Sequence, residues 1–203
     1  KPYNQEESKK TQVEDMFDNI AGKYDLLNHV LSMKIDVLWR NKLVKMLSKD
    51  HPKLVLDVAT GTGDLAVAIQ KGTGTKVVGL DLSQKMLDVG IEKVKKLGLD
   101  SNISMMKGDA ENLPFEDNKF DAVSVAFGVR NFENLEKGLA ELRRVVKENG
   151  SVYILEFSKV EGVLGPVYQF YFKYILPKIG RLVSKDNKAY TYLPDSFNPF
   201  PFG

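Results

Sequence analysis

Three carboxylates follow three successive apolar runs of the sequence and are the residues best placed to do chemistry. Asp57 closes the first run, Asp81 closes the second, and Asp109 follows the third. Carboxylates in such positions accept hydrogen bonds from the hydroxyl and amino groups of a ligand, and they favour a cationic group nearby. The turn Gly61-Thr-Gly63 comes directly after the first run, where glycines let the backbone turn tightly and approach a ligand. Together these residues predict a ligand site at one edge of a sheet.

The glycine turn fits two classes of nucleotide-binding enzyme. Gly61-x-Gly63-x-x-Ala66 satisfies the loose dinucleotide pattern, and Asp81 lies 20 residues after Gly61, where a ribose-binding carboxylate is expected. An NAD(P)-dependent or flavin oxidoreductase is therefore one alternative. Asp57 argues against it, because the pyrophosphate of a dinucleotide would meet like charge there, whereas a cofactor with a cationic amino group would be favoured.

The third carboxylate favours the second class of nucleotide-binding enzyme, in which the cofactor carries a cationic amino group. Asp109 lies in the segment Gly108-Asp-Ala-Glu-Asn-Leu-Pro-Phe115, where an acid can accept a hydrogen bond from an adenine amino group and apolar neighbours can flank the ring. Acids at the ends of strands one, two and three make the sequence similar to class I S-adenosylmethionine-dependent methyltransferases. That similarity predicts S-adenosylmethionine as the cofactor.

The elements that would position these acids alternate along the chain. Apolar, β-branched runs separated by helix-length segments are typical of βαβ units and a parallel sheet. The predicted strands are 54–58, 76–80, 103–106, 120–126 and 151–156, and the predicted helices are 64–70, 84–97 and 135–146, with Ser83 as an N-cap. Apolar residues at helical spacings between Val13 and Leu47 predict N-terminal helices, and residues 1–10 are expected to be frayed.

We therefore expect an α/β fold with a doubly wound, mostly parallel sheet. Residues 51–160 would form the cofactor-binding core, residues 1–50 an N-terminal helical cap, and residues 161–203 an apolar helical insertion and tail over the substrate site. The sixth and seventh strands of the fold class are expected to be missing from this sequence. The aromatic and aliphatic side chains of Val163–Gly180 predict a helix that forms an apolar wall for a substrate or touches a membrane.

The composition excludes several kinds of site. The sequence has no cysteine and two histidines, so we predict no metal site. A net charge of +2 gives no case for a nucleic-acid partner. No apolar run approaches the length of a membrane span, and the N-terminal residues lack the apolar core of a signal peptide. We expect a cytoplasmic protein, or one inside an organelle after removal of a targeting segment.

Longer motifs resemble one family. They are Tyr24-Asp-x-x-Asn28-x-x-Leu-Ser32 with Trp39 beyond it, Asp57-Val-Ala-Thr-Gly-Thr-Gly-Asp64, Leu113-Pro-Phe, Phe127-Gly-Val-Arg-Asn131, Arg144-Val-Val-Lys with Gly150, Leu155-Glu-Phe-Ser158, and Tyr190-x-Tyr-Leu-x-x-Ser196. From about Thr11 to Pro201 the chain resembles the UbiE/MenG/Coq5 C-methyltransferases of menaquinone and ubiquinone biosynthesis. It departs from them at Asp36, where the family usually has histidine, and at Glu148-Asn149, where the family has proline-glycine.

The resemblance implies C-methylation of a prenylated quinol, with demethylmenaquinol as the first choice. It implies cofactor contacts at Thr62, Asp81, Asp109 and Ala110, with Ala126 contributing through its backbone. It is also compatible with a homodimer and with peripheral contact at the inner face of a membrane, on the matrix side in a mitochondrion. A methyltransferase for another lipid or small aromatic acceptor, and a non-catalytic cofactor-binding partner, remain alternatives.

The same chemistry needs polar groups that remove or share a hydroxyl proton of the quinol. A guanidinium stays protonated, so Arg130 would stabilise a quinolate or polarise a water, or else form a structural ion pair. Tyr24 and Asn28 are favoured by the resemblance, and Trp39 is expected in the core. The polar candidates as a group are Tyr24, Asp25, Asn28, His29, Arg130 and Asn131.

Overall fold

The computed structural model describes residues 7–25, 32 and 35–156. The predictions made for Asn28, His29, Val163–Gly180 and the tail lie outside the described residues. The division of the chain at residues 50 and 160 stays a prediction.

A five-stranded parallel sheet forms the centre of the fold. Its strands are β1 Leu54–Val58, β2 Lys76–Asp81, β3 Ile103–Lys107, β4 Phe120–Ala126 and β5 Val146–Leu155. They lie in the order β3-β2-β1-β4-β5, and every neighbouring pair is parallel. The predicted doubly wound sheet is confirmed. Its strand order reverses between β1 and β4, and open α/β sheets bind ligands outside the carboxyl ends of the strands at such a reversal.

Five helices accompany the sheet in the described part of the chain. They are α1 Lys9–Ile20, α2 Ile35–Leu47, α3 Asp64–Thr73, α4 Gln84–Lys96 and α5 Leu135–Val145, with 3₁₀ turns at Ala21–Lys23, Ser48–Asp50 and Val129–Asn131. None of these helices has the length and apolarity that a membrane span requires. Ser83 caps α4 as predicted, since its hydroxyl accepts a hydrogen bond from the Met86 amide at 3.2 Å.

Two boundaries differ from the sequence prediction. The expectation that residues 1–10 are frayed was wrong for Lys9 and Lys10, because Ser8 caps α1 by accepting a hydrogen bond from the Thr11 amide at 3.1 Å. β5 begins at Val146 rather than Ser151, and the register with β4 shifts between these two residues. The polar segment Lys147-Glu-Asn-Gly150 has the composition of a turn, so nothing in it indicates that it continues the strand as a bulge.

Two apolar layers cover the sheet, because alternate side chains of a strand point to opposite faces. One layer joins Val55 of β1 to the apolar side chains of α2, α3 and α4. The other joins Leu56 and Val58 to Leu142 and Val145 of α5. Asp57 alternates with these residues and lies on the Val55 face, so the fold places a carboxylate beneath α2 and α3.

Candidate functional site

A cleft of about 730 Å³, open to solvent, lies at the carboxyl edge of the sheet. The ends of β1, β2 and β4 and the loop after β3 form its floor, and α1 covers it with Lys10, Val13, Glu14 and Phe17. Of the predicted site residues it brings together Tyr24, Gly61, Asp81, Asp109, Ala110, Ala126 and Asn131.

A smaller cavity of about 410 Å³ adjoins this cleft. Both are lined by Tyr24, Ala59, Gly61, Ala126 and Phe127. The smaller cavity adds the charged and polar residues Arg40, Asp57, Thr60, Thr62 and Asp64. The two spaces therefore form one elongated site with a largely apolar end and a charged end.

Asp81 connects two loops at the centre of the cleft. Its Oδ2 accepts a hydrogen bond from the Gly61 amide at 2.7 Å, and its Oδ1 accepts one from the Ser83 amide at 2.9 Å. Burial raises the pKa of Asp81 despite these hydrogen bonds. Each carboxylate oxygen has a second lone pair, so the side chain can still accept hydrogen bonds from the hydroxyls of a ribose.

Asp57 is almost completely buried, with 1% of its surface exposed. The hydroxyl of Thr60 donates a hydrogen bond to Oδ2 and that of Ser124 donates one to Oδ1, both at 2.7 Å. Burial nevertheless raises the pKa of Asp57 to about 6. A ligand cation in the smaller cavity would favour the ionised form and be held by it.

Asp109 is bound by Lys10 of α1, with Nζ 2.5 Å from Oδ2. The hydrogen bond to Asp109 raises the pKa of Lys10. Oδ1 of Asp109 accepts a hydrogen bond from the Glu111 amide at 2.9 Å, which fixes the loop after β3. Sequence reasoning missed Lys10 because it lies in the stretch expected to be frayed.

The backbone is strained where β1 and β4 end side by side. Ala59 and Phe127 have φ values of 53° and 58°. A residue with a side chain adopts this left-handed conformation at a cost of about 1–2 kcal/mol, and such residues cluster at functional sites. A Cβ at Gly128 would lie 2.5 Å from the Cβ of Ala59, so only glycine permits this approach of the two strand ends. The turn exposes Phe127 to both cavities.

Three predicted residues have other positions than expected. Gly63 lines neither cavity and is instead the N-cap of α3, with φ 79°. Trp39 is half-buried and lies 6.1 Å from the Phe127 ring, so the prediction that it belongs to the core was wrong. Arg130 also lines neither cavity, and its Nη1 forms a buried ion pair with Glu156 Oε1 at 2.5 Å.

The charged end of the site is held by a network that sequence reasoning did not find. Lys93 of α4 lies 2.6 Å from Asp25 and 2.6 Å from Asp64. Its Nζ also donates a hydrogen bond to Thr62 Oγ1 at 3.3 Å, and the Thr62 hydroxyl is hydrogen-bonded to Asp25. Thr62 is thus fixed from the N-terminal region and from α4 before any ligand binds.

Arg40 is the second functional residue that sequence reasoning missed. Its Nη2 is paired with Asp36, one helical turn earlier, and lies 3.2 Å from Asp64. The i,i+4 spacing of Asp36 and Arg40 was the available signal, because such pairs face each other on a helix. The sequence alone does not show that this pair faces Asp57.

Comparisons with known proteins identify one family. The ubiE/COQ5 methyltransferase family matches residues 5–202. A demethylmenaquinone methyltransferase of Bacteroides fragilis is 47% identical over all of this chain and 84% of its own length. One of Porphyromonas gingivalis is 46% identical over 98% of this chain and 83% of its own. The ubiquinone/menaquinone biosynthesis C-methyltransferase UbiE of Idiomarina loihiensis is 41% identical over 95% of this chain and 78% of its own.

Solved structures show the same fold. A putative methyltransferase of Bacillus halodurans superposes with a TM-score of 0.56 and 30% identity, covering 66% of this chain and 57% of that one. A SAM-dependent methyltransferase of Aquifex aeolicus gives a TM-score of 0.50 and 34% identity over 54% of this chain and 59% of that one.

The raised pKa of Asp57 predicts how stability depends on pH. The folded state holds the Asp57 proton more tightly than the unfolded state, because the pKa is about 6 instead of 3.8. The stabilisation that comes from the protonated Asp57 carboxyl is fully present below its unfolded pKa of 3.8, and it is lost as pH rises through about 6. We expect the unfolding free energy of the wild type, relative to Asp57→Asn, to fall by about 2 kcal/mol between pH 4 and pH 7. Urea denaturation across this range measures it.

Glu141→Gln is the matched control for that experiment. A hydrogen bond from Arg144 holds the pKa of Glu141 below its usual value, so its stabilisation is lost as pH falls instead. With rising pH, the unfolding free energy of the wild type should therefore fall relative to that of Asp57→Asn and rise relative to that of Glu141→Gln. A pH-independent difference between the wild type and Asp57→Asn would contradict the assignment.

Proposed function

The chain belongs to the ubiE/COQ5 methyltransferase family, and we propose that it transfers a methyl group from S-adenosylmethionine to a ring carbon of a prenylated quinol. Demethylmenaquinol is the proposed acceptor. The observation that carries the proposal is the identity of 46–47% with two demethylmenaquinone methyltransferases over 98–100% of this chain. The fold supports it, since structures of the same architecture include a SAM-dependent methyltransferase.

The residues of the elongated site fit this cofactor. Asp109 and Ala110 line the cleft at the end proposed for adenine, and Asp81 lies at the position proposed for the ribose. Gly61 and Ala126 line both cavities, where the sulfur would lie, and Asp57 with Thr62 would receive the amino acid end. An ammonium group beside Asp57 removes the like-charge conflict that a pyrophosphate would create there. The oxidoreductase alternative loses support for the same reason.

The protein must prepare a poorly nucleophilic ring carbon for the reaction. S-adenosylmethionine supplies, when bound, a methyl group activated by its positively charged sulfur. A ring carbon attacks it once a neighbouring quinol hydroxyl loses its proton, because the oxyanion increases electron density in the ring. Holding the two reactants in line within a dry cleft can supply on the order of 7–11 kcal/mol of the barrier. A positioned acid–base group adds roughly two to four orders of magnitude in rate.

Tyr24 and Arg130 are the described residues proposed for this polar work. Tyr24 lines both cavities, and its ring packs edge-on against Phe17 with 5.9 Å between centroids, which fixes its direction. Arg130 follows the Phe127 turn and is neutralised by Glu156. Because Arg130 lines neither cavity, we propose that it acts on a quinolate through the adjacent Asn131, which lines the cleft. Asn28 is proposed to complete this set.

The prenyl tail of the proposed acceptor determines what we expect of membrane contact and location. A prenyl tail is too apolar to travel through water, so the substrate would be taken from a membrane by peripheral contact. We assign that contact to the apolar segment Val163–Gly180, and we propose a cytoplasmic protein at the inner membrane face. A homodimer stays a proposal as well.

A methylation assay with radiolabelled S-adenosylmethionine tests the proposed function. We expect prenylated naphthoquinols to acquire label on a ring carbon, and benzoquinols of equal prenyl length to acquire less. The same assay with a short-chain aromatic acceptor tests the alternative of a small substrate. Binding of the cofactor without label transfer to any quinol would overturn the proposal in favour of a non-catalytic partner.

The role of Arg130 needs a variant that separates charge pairing from catalysis. Arg130→Met leaves Glu156 buried without its partner, which costs about 3–5 kcal/mol of stability, whereas neutralising both partners often costs little. We expect the double variant Arg130→Met with Glu156→Gln to recover the melting temperature but to keep a low kcat, at unchanged cofactor affinity. If kcat recovers together with stability, Arg130 is a structural residue.

A further inference from the structure

An arginine lines the smaller cavity, and its ion pairs within the fold use only part of its hydrogen-bonding capacity. Arg40 is 91% buried, since 9% of its surface is exposed. Its ion pairs with Asp36 and Asp64 are both made by Nη2. A guanidinium has five N–H donors, and those on Nη1 and Nε have no acceptor among the described residues. Arg40 lines the cavity beside Asp57 and Thr62.

Opposite charges face the cavity from its two sides. Arg40 lowers the pKa of Asp57 electrostatically, although burial dominates that pKa, so the two side chains are close enough to interact. Asp57 is placed by β1 and Arg40 by α2, and the elements meet because α2 packs on that face of the sheet. The charged residues of the cavity lining are Arg40, Asp57 and Asp64, and Asp64 is already paired with Arg40 and Lys93. A zwitterion, which carries both charges on neighbouring groups, can place its cation at Asp57 and its anion at the remaining donors of Arg40.

The first turn of α3 adds donors on the cationic side. Its N-cap is Gly63, which provides no side-chain acceptor for the first amides of the helix. Asp64 and Leu65, at the start of α3, line the cavity next to Arg40. The N-terminus of a helix favours an anion, so it would add to the attraction of Arg40.

Asp36 and Asp64, the two carboxylates that pair with Arg40, also have other partners. Asp64 also pairs with Lys93 at 2.6 Å, and Asp36 accepts a hydrogen bond from Ser32. Lys93 also pairs with Asp25, so this cluster has three carboxylates and two cations. The capacity of Arg40 for a further anion therefore rests on its Nη1 and Nε donors, since both ion pairs use Nη2. Asp36 acts here as a positioning residue, because it holds the Nη2 group of an arginine that lines the cavity.

We propose that Arg40 binds the carboxylate of the methionine moiety of the cofactor, while Asp57 binds its ammonium group. This inference rests on the proposed function, since it assigns one end of the same cofactor. It makes Arg40 a binding residue and Asp36 the residue that orients it. It also gives a reason for Asp36, which departs from the family pattern at a position next to the substrate region.

Ligands that contain or lack the carboxylate test the assignment. S-adenosylhomocysteine contains the whole amino acid, decarboxylated S-adenosylmethionine lacks only the carboxylate, and 5′-methylthioadenosine lacks the amino acid. Loss of a hydrogen bond between charged groups weakens binding about 10- to 100-fold. We expect Arg40→Met to lose that factor for S-adenosylhomocysteine, and less than about three-fold for the two ligands that have no carboxylate. Calorimetric titration measures all three.

Two further variants keep the result interpretable. Arg40→Lys retains a cation beside Asp36 and should lose less affinity for S-adenosylhomocysteine than Arg40→Met does. Arg144→Met removes an ion-paired arginine that lines neither cavity, and it should change none of the three affinities. Equal weakening of all three ligands in the Arg40 variants, or no weakening, would overturn the assignment of Arg40 alone. A wild-type protein that binds none of the ligands would overturn the proposed function with it.

Discussion

The burial of one carboxylate at the centre of the sheet is the constraint on which the rest of the site depends. Asp57 ends β1 beneath two helices, and burial raises its pKa to about 6. The fold offsets this cost with two hydroxyl donors, one from the loop after β1 and one from the neighbouring strand β4. A buried carboxylate that forms part of a cavity wall favours the binding of a cationic group there.

The N-terminal helices complete the site by binding each of the strand-end loops. Lys10 binds Asp109 after β3, Asp18 accepts a hydrogen bond from Ser83 after β2, and Asp25 is hydrogen-bonded to Thr62 after β1. These contacts join residues far apart in sequence and cover the cleft from one side. The region that precedes the sheet in sequence is therefore part of the proposed cofactor site. The proposed hydrogen bond between Asp109 and an adenine amino group requires that Lys10 share or give up its contact with Asp109.

Much of this arrangement could be predicted from the sequence, because it is encoded by local patterns. Apolar runs of the right length located all five strands, and Asp57, Asp81 and Asp109 follow from their positions at strand ends. The bulge in β5 could not be predicted, since Lys147-Glu-Asn-Gly150 has the composition of a turn. Arg40 and Lys10 were missed for another reason. Their roles depend on how α1 and α2 pack on the sheet, and that packing brings together residues with no characteristic spacing in the sequence.

We propose that the carboxyl edge of the sheet binds an adenosine ligand with an amino acid attached, and not a dinucleotide. Titration calorimetry of the unmodified protein with S-adenosylhomocysteine and with NAD⁺ tests it most directly. We expect saturable binding of S-adenosylhomocysteine at one site per chain, and no competition by NAD⁺ at equal concentration, because the pyrophosphate of NAD⁺ would meet Asp57. Tighter binding of NAD⁺ than of S-adenosylhomocysteine would contradict it.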